Sequence, residues 1–318
     1  MADRRPVLAV DVGGTKLAAA VVARDGWLIA SAQMPTPREP DPELLWRALC
    51  GLLGRVLASA GVREVDGLSG IGVGCGGPME WPAGVVSPLN IPAWRSFPLR
   101  ARLRELFAGS PVRVHNDAIC LVAGEHWRGA GQGRDNVLGM VVSTGVGGGL
   151  IVDSRLIGGA SGNAGHIGHV VVDPAGPECS CGGRGCLEAI ARGPALVAWA
   201  RGQGWRAGQP DATARDLAED GAGGNPLGVA AMRRAGRALG IAIASATHLC
   251  DLEVVSVGGG LSQAGALLFG PLQEALHAHA RLDFAQRVQV VPAALGQDAC
   301  LVGAAALFLA GDRYWAAD

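Results

Sequence analysis

Between positions 169 and 186 the chain reads His-x9-Cys-x-Cys-x4-Cys, which brings His169, Cys179, Cys181 and Cys186 close together. Three thiolates and one imidazole are the ligand set of a closed tetrahedral zinc site. Four protein ligands leave no open position for an activated water, so a metal held this way braces a loop and does not itself perform chemistry. The competing reading is a set of reduced free thiols. Cys50, Cys75, Cys120, Cys250 and Cys300 lie in apolar contexts and read as core residues. His115, His126, His248, His277 and His279 carry no comparable pattern.

Three glycine clusters suggest a second kind of chemistry. In Asp11-Val12-Gly13-Gly14-Thr15 a carboxylate ends an apolar run, and two glycines let backbone N–H groups approach an anion with no side chain in the way. Thr15 adds a hydroxyl. Ser143-Thr144-Gly145-Val146-Gly147-Gly148-Gly149 repeats this equipment. Together the two loops could hold the β- and γ-phosphates of a nucleotide, with Asp11 reaching a magnesium ion directly or through water. Either loop alone reads more readily as a plain hairpin; as a pair in matching contexts the two favour phosphate binding. The third cluster, Gly258-Gly259-Gly260, follows the apolar run EVVSV and precedes a helix, where α/β proteins seat ligands; a tight turn is the alternative. No cluster fits the Walker pattern, because no Gly-Lys-Ser/Thr follows at the required spacing, and Lys16 receives no role.

Asn116-Asp117 stands between the apolar run VRVH and the helical stretch AICLVAGEHW. Asp117 could cap that helix. It could also be the base that accepts a proton from an attacking hydroxyl, and its place between the two glycine-loop units favours that role.

The elements that must carry these residues follow from hydrophobic period. PVLAVDVGGTKLAAAVVARDGWLIA reads as strand, glycine turn, strand and a hairpin at Asp25-Gly26. Asp41 caps and Pro42 opens a helix whose Leu44, Leu45, Ala48, Leu49, Leu52, Leu53, Val56 and Leu57 form one face. GIGVGCGG and VRVHND are strands that end in site-like residues. VLGMVVSTGVGGGLIV (137–152) repeats the opening plan about 130 residues on. A long helix (226–250), the strand EVVSV, a helix over about 264–280, the strand VQVVPA and a last helix in QDACLVGAAALFLAG complete the chain. Alternating strands and helices imply an α/β fold, here two similar domains facing each other across a central cleft. The expected domains are 1–117 plus about 299–318, and 118–298 with the metal loop.

Composition narrows the partners. The chain has 318 residues and a formal net charge of −1, and its basic residues are scattered, so no footprint for nucleic acid or an anionic membrane exists. Its 50 glycines are about twice the usual share and sit between apolar runs as bends and ligand loops. No apolar stretch reaches the roughly 18 residues of a membrane span, and the start lacks a signal-peptide pattern, so a cytoplasmic protein is expected. In that reducing compartment clustered cysteines favour a metal over a disulfide.

The motifs DVGGTK, STGVGGG, GHVVVDPAGPECSCGGRGCLEA and VGGGL occur in an order and spacing that resembles the ROK family of sugar kinases over nearly the whole chain. The Cys-rich segment is the specific part; the glycine loops are much less so. The resemblance implies two ribonuclease H-like domains of the actin/hexokinase type, closing on ATP and a hexose. It implies that Asp117 deprotonates the sugar's 6-hydroxyl, and that Gly77, Asn90, Asn116, Asp117, His169 and Glu188 line the sugar pocket. It assigns Asp11, Gly13, Gly14, Thr15, Thr144, Gly145, Gly147, Gly258, Gly259 and Gly260 to ATP with Mg²⁺. His169 would then use one ring nitrogen for zinc and the other for a sugar hydroxyl. Domain closure would exclude water from the phosphoryl group. The resemblance also favours a homodimer or a dimer of dimers.

One position departs from the common family pattern. Many members, glucokinases among them, carry Glu in AGExGH, whereas this chain reads Ala164-Gly165-His166-Ile167-Gly168-His169, a form that occurs in the family's N-acetylmannosamine kinases. A carboxylate only accepts hydrogen bonds, while a neutral imidazole can also donate one, for instance to an acetamido carbonyl. His166 therefore points to an amino or N-acetyl hexosamine; glucose or a free amino sugar such as kanosamine is the alternative. A sugar-responsive repressor would carry a helix-turn-helix domain before the first glycine loop, and only ten residues precede Asp11. A non-catalytic sugar sensor is the third possibility, and intact Asp11, Gly13, Gly14 and Asp117 argue against it.

Overall fold

The computed structural model describes residues 5–315. In chain order its elements are β1 (Val7–Val12), β2 (Lys16–Val22), β3 (Leu28–Pro35), α1 (Pro42–Ser59), β4 (Gly70–Cys75), β5 (Met79–Glu80) and β6 (Val85–Val86). Next come α2 (Leu99–Leu106), β7 (Val112–Asn116), α3 (Asp117–Arg128), β8 (Val137–Val142), β9 (Val146–Val152) and β10 (Arg155–Leu156). The rest are α4 (Leu187–Ala191), α5 (Gly193–Gly202), α6 (Ala214–Ala222), α7 (Pro226–Cys250), β11 (Val254–Gly258), α8 (Ala266–His279), β12 (Gln289–Pro292) and α9 (Ala299–Leu309). The α/β class expected from the alternating pattern is the one observed.

Two five-stranded sheets form, with orders β3-β2-β1-β4-β7 and β10-β9-β8-β11-β12. Reading each sheet in chain order gives the same arrangement, third-second-first-fourth-fifth strand, so the repeated strand–glycine turn–strand plan is a topological repeat. Within the first sheet β1 runs antiparallel to β2 and parallel to β4, and β4 runs parallel to β7. Parallel strands end together, so Asp11, Gly74 and His115 lie in one cross-strand row and Asn116 closes the next. Contacts divide the chain into two compact units. One holds the chain up to Gly133, Gly149–Gly165 and the stretch from Gln297; the other holds Arg134–Gly148 and His166–Gly296.

In the first unit, α1 begins as its sequence dictates. The Asp41 carboxylate accepts the Glu43 N–H at 2.8 Å, and Pro42 fills the first turn. Leu45, Leu49, Leu52, Leu53 and Val56 are buried with Val10, Leu17 and Val73 of the sheet. Leu44, expected on the same face, is exposed, because the row through positions 44 and 48 runs along the flank of that stripe.

Helix α3, which follows Asp117, packs against α9 within this unit. Glycines permit the close approach: a Cβ on Gly303 would collide with the Cys120 carbonyl, and one on Gly124 with the Ala299 carbonyl. Gly303→Ala should therefore push the helices apart and cost about 1–3 kcal/mol, visible as a lower Tm. An unchanged melting curve would mean that this contact does not fix the start of α3.

In the second unit α7 spans Pro226–Cys250, matching the expected long helix, with the Asn225 side chain accepting the Leu227 N–H at 2.9 Å. Its Leu239, Ala242 and Ile243 are buried, and α8 packs along it. Helix α8 starts at Ala266, two residues later than expected, because residues Gly260–Ala264 form a tighter 3₁₀ turn first.

Candidate active site and metal centre

In the first unit the parallel strands β1, β4 and β7 end side by side, which is where an open α/β sheet gathers a site. The β1–β2 turn closes with the Gly13 N–H donating to the Lys16 carbonyl at 3.0 Å. That donor is thereby spent on the hairpin and withdrawn from any anion. Thr36 pins the turn from β3's end: its hydroxyl donates to the Gly13 carbonyl at 2.6 Å and its N–H to the Thr15 carbonyl at 3.1 Å. Sequence reasoning missed Thr36, since nothing local links it to a turn some twenty residues earlier.

Asn90 lies against this turn; a Cβ on Gly14 would stand 2.7 Å from its side chain. A Cβ on Gly76 would meet Asn90 Oδ1 at 3.3 Å and Asp117 Oδ2 at 3.8 Å, so these two side chains converge over Gly76. The Gly77 carbonyl accepts the Leu89 N–H at 3.2 Å, which sets Gly77 beside them. Asn116, not Asp117, is the N-cap of α3, and its Oδ1 accepts the Ala118 N–H at 3.0 Å. The Asp117 Oδ1 also accepts that N–H, at 2.7 Å, leaving Oδ2 toward Gly76.

The electrostatics of this cluster follow from its depth. Burial raises the Asp117 pKa above the usual carboxylate range, against the pull of the Ala118 N–H. Burial and then the charge of Asp117 raise Asp11 to about 6, while the Cys300 thiol and Lys16 draw it back. Cys300 is buried as the sequence suggested, yet it is more than filler: its sulfur lies 2.5 Å from where a Gly74 Cβ would be, and Gly74 is the cross-strand neighbour of Asp11. Burial leaves both carboxyls reluctant to ionise, and Asp11, which also feels the charge of Asp117, is the one a divalent cation would relieve.

In the second unit the loop after β8 is tied at both ends. The Ser143 N–H donates to the Gly145 carbonyl at 2.9 Å, and the Gly193 N–H donates to the Ser143 carbonyl at 2.8 Å. Glu188 reaches the same loop: its Oε2 accepts the Val146 N–H at 2.9 Å and would stand 2.9 Å from a Gly145 Cβ. Gly147 lies within β9 and Gly258 closes β11, so Thr144-Gly145 and Gly259-Gly260 are the loop portions of those clusters. Gly259 has φ +89°, and a Cβ there would strike the Val142 backbone. Only glycine lets the third loop lie this close to the second.

The metal loop brings the imidazole of His169 and the sulfurs of Cys179, Cys181 and Cys186 within 4.8 Å of one another. Cys179 Sγ is 3.8 Å from His169 Nδ1, and the Cys181 and Cys186 sulfurs are 3.8 Å apart. Ligands about 2.3 Å from a tetrahedral zinc must lie about 3.8 Å from one another, so the observed cage has the size of that ion. Backbone bonds shape it: the Cys179 N–H donates to the Gly183 carbonyl at 2.8 Å and the Gly182 N–H to the Cys179 carbonyl at 2.9 Å. Gly182 and Gly185 supply the left-handed backbone these turns require.

His169 turns Nδ1 to the sulfurs, which leaves Nε2 on its far side. The His166 ring lies 6.2 Å from it between centroids. Burial, then the charge of His169, lowers the His166 pKa, with Glu188 opposing. His166 is therefore a neutral imidazole at pH 7, able to donate one hydrogen bond and accept another.

The pattern that defines the ROK family matches residues 7–310. The chain is 33% identical to the glucokinase of Thermotoga maritima, across 95% of this chain and 96% of that protein. It is 36% identical to the N-acetylmannosamine kinase of Citrobacter koseri, across 96% of this chain and 99% of that one. It also superposes on a ROK glucokinase from Streptomyces griseus, crystallised with glucose and AMPPNP, with TM-score 0.80 and 32% identity. That match covers 96% of this chain and all (100%) of the other.

Proposed function

Because this chain is a ROK-family sugar kinase, we propose that it transfers the γ-phosphate of ATP to the 6-hydroxyl of an amino or N-acetyl hexosamine. The observation that carries the transfer is Asp117: one carboxylate oxygen is fixed by the Ala118 N–H while the other lies toward Gly76. A carboxylate held this way, with its pKa raised by burial, is suited to take the hydroxyl proton. Asn90 and Asn116 offer amide N–H donors that orient the sugar in the first unit, beside the backbone of Gly77. His166, His169 Nε2 and Glu188 offer a donor, a donor or acceptor, and an acceptor in the second.

Magnesium-bound ATP supplies the phosphoryl group when present. Asp11 would hold the metal, and the free amides of the turns at Gly14-Thr15, Thr144-Gly145 and Gly259-Gly260 would meet the phosphates. The Cys₃His cage fits zinc and would orient His169 toward the sugar. The reading takes with it a cytoplasmic location and a homodimer or dimer of dimers. None of the described helices is long and apolar enough to cross a membrane.

Glucose is the second reading, favoured by the glucokinases among the relatives. A kinase panel of N-acetylmannosamine, N-acetylglucosamine, glucosamine, kanosamine and glucose separates them, run on the native chain and on His166→Glu. The native protein should prefer an N-acetyl or amino hexose. Loss of one well-placed donor should move the variant's kcat/KM ratio toward glucose by about 10-fold. An unchanged ratio removes the argument for the amino sugar.

A further inference from the structure

Arg192 is a residue of the second unit whose chemistry is unspent. Its Nε is buried with no hydrogen-bond partner, and its guanidinium pairs with no carboxylate among the described residues. Arg192 follows Glu188 by four positions, the spacing at which a helical ion pair forms. No such pair is made, because Glu188 is turned to the Val146 N–H at 2.9 Å. A buried guanidinium nitrogen without an acceptor is unfavourable, and an arriving anion removes that cost.

The backbone shows where the anion would be. The Arg192 N–H donates to the Glu188 carbonyl at 3.1 Å, and its own carbonyl accepts the Ala195 and Leu196 N–H groups at 3.0 and 3.1 Å. The next residue, Gly193, donates to the Ser143 carbonyl at 2.8 Å. Ser143 Oγ in turn lies 3.8 Å from where a Gly260 Cβ would stand. Arg192 is thus rooted where the second and third glycine loops meet. The first N–H of α5 is used by Ser143 and Pro194 has none, so the helix end competes little with the guanidinium as an anion donor.

We propose that Arg192 is a phosphate ligand of the second unit, its guanidinium binding oxygens of the nucleotide's phosphate chain. This rests on the kinase reading. Arginine suits the task because its planar fork can grip two phosphate oxygens at once, which lysine cannot.

Binding to the full-length, zinc-loaded chain tests it, by calorimetry and by ligand-induced Tm shift, using ATP, tripolyphosphate and adenosine. Arg192→Ala should weaken ATP and tripolyphosphate by about 10- to 100-fold and leave adenosine unchanged. Arg192→Lys should recover part of that loss. Without ligand, the Tm of Arg192→Ala should equal or exceed the native value, since no internal hydrogen bond is removed; a structural brace would lower it. Unaltered ATP affinity in Arg192→Ala overturns the proposal, and so does an equal loss for adenosine, which would place the guanidinium on the base. Phosphoryl transfer by the native chain is scored separately. Absent transfer with Arg192-dependent ATP binding would remove the kinase reading and keep this one.

Discussion

Asp117→Asn should lower kcat for sugar phosphorylation by about 10²- to 10⁴-fold, the usual contribution of a positioned general base. The substitution keeps the oxygen that accepts the Ala118 N–H at 2.7 Å and removes only the ability to take a proton. Sugar affinity, measured by calorimetry, should change little. The pH dependence follows from the direction of the Asp117 shift. Burial raises its pKa in the folded chain, so the base is lost at a higher pH than for an exposed carboxylate, and kcat should fall as pH drops through that raised value. The Asn variant's residual rate should lack this limb.

Stability moves the other way. A carboxyl whose folded pKa is raised favours the fold below its unfolded pKa, and that contribution is lost as pH rises through the folded value. At neutral pH an ionised Asp117 therefore burdens the fold, and Asp117→Asn should melt no lower than the native chain. Near-normal turnover in this variant would falsify the mechanism. A turnover loss accompanied by a lower Tm and weakened sugar binding would assign Asp117 to structure instead.

What the sequence revealed depended on how far apart the cooperating residues lie. The Cys₃His cluster was legible because its spacing is local and zinc chemistry demands those atom types. The glycine turns were legible as turns, since each sits between apolar runs. Which N–H groups remain free was not: the Gly13 donor is consumed by Lys16, and Thr36, a residue of another strand's end, fixes the loop. Asn116 and Asp117 are both good caps, and only the path of the chain into α3 makes Asn116 the N-cap and leaves a carboxylate oxygen of Asp117 toward Gly76. Cys300 read as core from its apolar neighbours, and burial bears that out. Its place against Gly74, beside Asp11, needed the β1–β4 register and the docking of α9, neither of which has a local signature. Arg192 has no signature in the sequence, because an unpaired buried nitrogen is a property of packing alone.

Removing zinc should cost the second unit more than any single side chain. Structural zinc contributes on the order of 10 kcal/mol of folding free energy at such sites, so chelation or Cys186→Ser should lower the Tm steeply and expose the loop to proteolysis. The damage should reach the sugar side through identifiable bonds. Cys186 is the residue before α4, it bridges to Val171, and the Leu187 N–H donates to the Val170 carbonyl at 2.9 Å. Freeing Cys186 therefore releases the start of α4, where Glu188 holds the Val146 N–H, and at the same time frees the His169 ring. Cys181 is exposed and reaches α4 only through its sulfur, 3.8 Å from that of Cys186, so Cys181→Ser should loosen zinc while disturbing Glu188 less. The sugar KM should rise more in Cys186→Ser than in Cys181→Ser at equal residual zinc, and added Zn²⁺ should restore Cys181→Ser further. The measurements are zinc content by atomic absorption, Tm and sugar KM on the same samples. If the metal-free chain keeps its Tm and its sugar KM, the four residues are free thiols beside a histidine, and the loop is held by its backbone alone.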